Sequence, residues 1–187
     1  MTTEAGSTGV TRRQALVGAS LGAATLATFG RAAAVGAQSA TPGAAGDTTT
    51  TRPALTTAGV QAILEAALAK ATELQVPSVI TIIDASGAQL AFFHMTGAPM
   101  ISHELSPIKA SSALAFGAPT SEVAKNLAAA NDPALIPSIL SVPGITLVGG
   151  GFPIMVDDAL VGAIGASGGT VEQDEQVAQA GLAAVTR

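Results

Sequence analysis

The sequence predicts an α+β domain in which five mostly antiparallel strands are flanked by helices before, between and after them. Three observations lead there. One stretch repeats apolar residues at helical steps, two apolar runs are joined by a short glycine turn, and three later β-type runs are connected too tightly for a helical crossover.

The first helix is expected from about Leu55, because Val60, Leu64, Ala67, Ala71 and Leu74 alternate steps of four and three and so share one face. Pro77 closes it. Val79 to Ile83 is β-branched and apolar, Asp84-Ala85-Ser86-Gly87 is a turn, and Gln89 to Phe93 resumes the apolar run, which together predict a hairpin. Ser106-Pro107 offers an N-cap with Pro at the first helical position, so a central helix is expected from there to Gly117. A short helix follows Thr120, and Pro133, Pro137 and Pro143 confine the next segment to short turns. Ile145 to Val148, Pro153 to Val156 and Leu160 to Ala166 are the last three predicted strands, joined at Gly149-Gly150-Gly151 and Asp157-Asp158 as an antiparallel meander. Thr170 and Gln173 have capping-box spacing for a last helix, whose Val177, Ala178, Gly181, Leu182 and Val185 fall on one face. Glu172, Asp174 and Glu175 lie in its first turns, where the helix dipole favours carboxylates.

The first 37 of the 187 residues belong to none of this. Thr11-Arg12-Arg13-Gln14 precedes an uncharged run from Leu16 to Phe29, and small residues follow at Val35-Gly36-Ala37. Paired arginines, a weakly apolar run and a small-residue cleavage site in that order predict a twin-arginine export signal over residues 1–37. The expected location is extracellular or in the cell envelope, with no membrane attachment after processing. Residues 38–54 are small, polar and Pro/Gly-containing, which predicts a flexible linker, and residues 55–187 form the folded domain.

Without the signal, five basic and twelve acidic side chains remain on 150 residues, a formal charge of −7. That sign leaves no electrostatic footprint for nucleic acid or anionic lipid. Seventeen charges are well below the roughly 25% usual for soluble domains, so part of the surface is expected to be buried in a homo-oligomer. The chain has no Cys, which excludes disulfides and thiolate metal sites.

The turn Gly165-Ala166-Ser167-Gly168-Gly169 satisfies G-x-S-x-G, the nucleophile elbow of serine hydrolases. Yet both histidines, His94 and His103, precede the serine, whereas the acid and His of that fold follow it. A phosphate cradle fails as well, because carboxylates follow the glycines in place of the Lys and Ser/Thr that would meet the anion.

One ordered series remains: Ile82-Ile83-Asp84-x-x-Gly87, Met95-x-Gly97-Ala98, Lys109-Ala110-x-x-Ala113-x-x-Phe116, Pro119-Thr120, Gly150-Gly151-x-Pro153-Ile154, Gly162-Ala163-Ile164-Gly165-x-Ser167-Gly168 and Gln173-Asp174-Glu175-x-x-Ala178-x-Ala180-Gly181. In this series the chain resembles the GlcG/HbpS family, a haem-binding or "haem-degrading" domain also found appended to PduO-type cobalamin enzymes. The resemblance implies a profilin-like three-layer α/β/α fold, oligomers, and binding of haem, iron or another small cofactor. Where the family commonly has an arginine before the methionine and an acid after it, this chain has His94-Met95-Thr96. His94 is therefore either a polar residue ending a strand or a new iron ligand. His103-Glu104 is expected in a loop before the Ser106 cap.

Lys109, the only basic residue between Lys70 and Lys125, is expected in the first turn of its helix, where the dipole disfavours a cation. Its partner is either Asp174, a structural pair, or a haem propionate or substrate carboxylate. The expected cofactor site combines Lys109, His94, Ser167, Gly168, Gly169 and Asp174. The leading functional expectation is a non-catalytic haem trap. The alternatives are an enzyme on a small carbonyl or carboxylate substrate, with Lys109 and Asp174 as its acid/base pair, and an extracytoplasmic scaffold.

Overall fold

The computed structural model describes residues 51–185. The export signal with Arg12 and Arg13 lies outside the described residues. Of the predicted linker only Thr51–Ala54 is described, exposed and without regular secondary structure.

Nine elements follow one another: α1 (Thr57–Glu73), β1 (Val79–Asp84), β2 (Gln89–His94), α2 (Met100–Phe116), α3 (Thr120–Ala129), α4 (Leu135–Leu140), β3 (Gly151–Val156), β4 (Ala159–Ser167) and α5 (Val171–Ala183). The strands form one antiparallel sheet in the order β2-β1-β4-β3. α2 packs on one face, against β4, β3 and β1, while α1 and α5 pack on each other and on the opposite face. The three-layer arrangement is the one expected.

The pleat assigns residues to these layers. Ile80 and Ile82 of β1 join Val60, Ile63, Ala67, Ala71, Val177 and Ala178 in the larger core cluster, and Ile83 joins Ala110, Ala113 and Ala163 in the smaller. Thr81, on the α2 side, hydrogen-bonds Ser106 between the hydroxyls at 2.8 Å. Both hairpin turns use left-handed backbone, at Gly87 (φ 85°) and at Asp157-Asp158 (φ 47° and 63°). Asp84 ties the first by accepting from the Ser86 amide and hydroxyl and the Ala88 amide. Thr170 and Gln173 form the predicted capping box of α5.

Three expectations are corrected. The segment of Pro133, Pro137 and Pro143 is not turns alone: Leu135–Leu140 forms α4, with Pro137 in its first turn, where a missing N–H costs no intrahelical bond. The sheet has four strands, not five, because Ile145–Val148 pairs with no strand. Two of its backbone groups bond helix hydroxyls instead: the Thr146 amide donates to Ser112 Oγ at 2.8 Å, and Thr120 Oγ1 donates to the Val148 carbonyl at 2.8 Å. The central helix starts at Met100, not at Ser106. Pro107 sits inside it, where it removes one intrahelical hydrogen bond. Ser106 serves as a core polar group rather than a cap, its hydroxyl donating to the Gly165 carbonyl at 2.9 Å. The predicted stop holds, since Gly117 takes the left-handed C-cap conformation at φ 62°.

Candidate functional site

α2 lies directly on backbone. Gly151 of β3 and Gly165 of β4 are paired across the ladder, and a Cβ on either would collide with a helix carbonyl, that of Lys109 or of Ser106. This close seat carries Lys109, the tenth residue of the helix and far from its first turn, down beside the end of β4. Lys109 is fully buried; its Nζ donates to Asp174 Oδ2 at 2.6 Å and to the Ala166 carbonyl at 3.0 Å. The other carboxylate oxygen, Oδ1, accepts from the Gly168 amide at 2.9 Å and the Gly169 amide at 3.0 Å. Gly150 (φ 107°) closes over the pair, where a Cβ would stand 3.0 Å from Lys109 Nζ.

Of the two partners weighed for Lys109, the carboxylate of Asp174 is the one present. Burial pulls the ammonium below the ordinary lysine range, opposed by the hydrogen bond to Asp174 and by the attraction of Asp174 and Glu175. Glu175 Oε1 is itself buried without a hydrogen-bond partner. A propionate arriving here would find the cation enclosed and two carboxylates in its place. Lys109 is thus a positioning residue: it ties α2 to β4 and α5 and holds the glycine turn in shape. The enzyme alternative would use this same pair, and both of its members are buried.

Ser167 is also buried, its hydroxyl bonded to Ser102 Oγ at 3.2 Å. In the sheet it pairs with Val79, which pairs on its other side with His94. The turn and His94 therefore occupy the same end of the sheet, two strands or roughly 10 Å apart. His94 ends the edge strand β2 with its side chain exposed. His103, predicted in a loop, is instead exposed on the first turn of α2, and the two imidazole centroids are 6.0 Å apart. Phe92 meets His103 edge-on at 5.0 Å. A shallow depression of about 220 Å³ beside them is lined by Gln89, Phe92, His103, Glu104 and Pro107.

The family model for the haem-degrading, HbpS-like proteins matches residues 55–183. The chain belongs to this family.

Among curated proteins, the HbpS-like domain is 36% identical over 136 residues to the corrinoid adenosyltransferase PduO of Salmonella typhimurium, covering 73% of this chain and 40% of that protein. It therefore spans about two fifths of that relative's length. Among solved structures, a PduOC–haem complex is 35% identical with a TM-score of 0.64, covering 72% of this chain and 96% of that one. HbpS of Streptomyces reticuli, in a double-mutant form, is 31% identical with a TM-score of 0.68, covering 76% and 94%.

Of the six expected site residues, the HbpS-like fold brings five together around the Lys109–Asp174 pair and leaves His94 at the surface beyond Val79. Sequence reasoning missed the companionship of His94 and His103. Read as the first helical residue, Pro107 places His103 in a loop. Pro99, just before the true start at Met100, is the signal that could have moved the boundary.

Proposed function

We propose that this HbpS-like protein is exported, binds haem and holds it without turning it over. The observation that carries the reading is the exposed His94 imidazole, standing at the end of an open edge strand in a fold whose solved relatives include a haem complex. A neutral imidazole is a common axial ligand of haem iron, so the donor fits the group. Exposed apolar side chains at the same corner, Met100 (89% exposed) and Ile101 (68%), suit a macrocycle. The fit is open rather than enclosed: the depression beside His103 falls below the roughly 300–1,000 Å³ of closed ligand pockets. The cavity of about 350 Å³ between Leu55, Ile63, Val156 and Val185 offers no imidazole and no charge. An open site is consistent with completion by a second copy of the chain, as a homo-oligomer would provide. His94 would hold the iron, and the propionates would face solvent, away from Asp174 and Glu175. The Lys109–Asp174 pair, Ser167, Gly168 and Gly169 form the frame behind the site.

Haemin titration followed by absorbance tests the reading. Wild type is expected to give a spectrum distinct from free haemin, His94→Ala to shift the Soret band and weaken binding, and His103→Ala to do little. A wild-type mixture with only the spectrum of free haemin would overturn it.

A further inference from the structure

The chain contains two histidines and no cysteine, so imidazole is the strongest transition-metal ligand it possesses. One histidine ends an edge strand and the other sits in the first turn of the next helix, across the Met95–Pro99 connection. The fold nevertheless places both rings side by side, exposed and unburdened by other hydrogen bonds to protein among the described residues. Neither the core nor the sheet requires either ring. The haem reading uses only His94.

The spacing is informative. An imidazole nitrogen lies about 2.0–2.1 Å from a bound ion, which puts the ring centroid roughly 3 Å away, so two rings on opposite sides of one ion stand about 6 Å apart. The observed separation is 6.0 Å. Rings sharing a tetrahedral ion would stand about 5 Å apart, a difference smaller than exposed side chains span by rotating, so the separation puts both rings within reach of one ion and the ligand type selects which. Copper(II) and nickel(II) stand high in the affinity order of divalent first-row ions for nitrogen ligands, and imidazole is a ligand suited to both. Among the described residues no three His, Cys, Asp or Glu side chains converge on one point, so the remaining positions fall to water. Phe92 meets the His103 ring edge-on, and rotation of the exposed His94 side chain would turn its ring toward an ion shared with His103.

We propose that His94 and His103 together form an open, exchangeable site for one divalent transition ion, copper(II) or nickel(II). The site stands on the two imidazoles alone and needs no haem. Because His94 would belong to both sites, ion and haem would compete for it.

The test uses the haem-free chain with nickel(II) by calorimetry and copper(II) by electron paramagnetic resonance. Wild type is expected to bind one ion per chain, with a copper spectrum showing two nitrogen ligands and a melting temperature raised by several degrees in excess nickel. His94→Ala and His103→Ala are each expected to weaken binding by tenfold or more and to abolish the melting shift. Both positions are exposed, and circular dichroism confirms that each variant folds. Undiminished binding in either variant would overturn the proposal, as would a copper spectrum with one nitrogen. Failure of the haem reading leaves these outcomes unchanged, since no haem is present. His103→Ala separates the two sites, losing the ion while keeping the haem spectrum.

Discussion

Lys109 is the side chain on which the smallest change has the largest expected consequence. It is fully buried and its charge is met by Asp174 at 2.6 Å. Removing one partner of such a pair leaves an uncompensated charge in the interior, so Lys109→Met is expected to cost roughly 3–5 kcal/mol in urea unfolding. Lys109→Met combined with Asp174→Asn is expected to recover much of that loss. The amide keeps an oxygen for Gly168 and Gly169 while the stranded charge disappears. Equal destabilisation of the single and double variants would contradict this. The depressed lysine pKa also has a sign. Between its folded value and the ordinary 10.5, the unfolded chain holds more protons than the folded one, so stability from this group rises with pH. The chain has no Tyr or Cys to titrate in the same window. The wild-type urea midpoint is therefore expected to rise as pH climbs towards 10, and the rise is expected to vanish in Lys109→Met. A falling wild-type midpoint would refute the direction.

At the scale of elements, the contact between α2 and the sheet is set by what is missing. Gly151 and Gly165 face each other across β3 and β4 and let the helix backbone rest on the strands. Gly165→Ala is expected to cost at least the 1–3 kcal/mol or so of an overpacked core, because the new methyl meets backbone at Ser106 and Ala110 that cannot rotate away. Gly59→Ala in α1 is the contrast: its Cβ would meet only Thr56 Oγ1, at 3.3 Å. There the gain in helix propensity makes the change neutral or mildly stabilising. Comparable melting temperatures for the two variants would show that α2 does not sit as closely as described. The missing fifth strand belongs to this scale too. Ile145–Val148 has strand-like composition, but Ser112 and Thr120 engage two of its backbone groups from the helices, and no amount of local β-propensity reveals that competition.

For the molecule as a whole, exposed apolar side chains and scarce charge point the same way. Leu90, Phe93, Met100, Ile101, Val148 and Met155 are each more than 40% exposed. With only seventeen charged side chains on the 150 residues after the predicted signal, little polar surface surrounds these apolar groups. Protein secreted by cells expressing the full chain is expected to begin near Gln38 and to scatter light as a multimer. Arg12→Lys with Arg13→Lys is expected to leave precursor in the cytoplasm. Unaltered secretion of that double variant would sink the export proposal, and a single species of monomer mass at micromolar concentration would sink self-association. Among the described residues no helix is long and apolar enough to cross a membrane.

Local rules were enough for α1, the β1–β2 and β3–β4 hairpins, the Gly117 stop and the Thr170 capping box, because each depends on residues within a turn or two of one another. They also supplied the charge balance and the ordered motifs that carry the family resemblance. Tertiary structure alone decided the rest. It paired β1 with β4, laid α2 on two strand glycines, enclosed Lys109 with Asp174 65 residues away, and set His94 beside His103. The physical reason is that these contacts depend on which backbone can approach which. That distance is set by the absence of side chains on facing elements, and an absence in one strand acquires meaning only when the helix that will lie on it is in place.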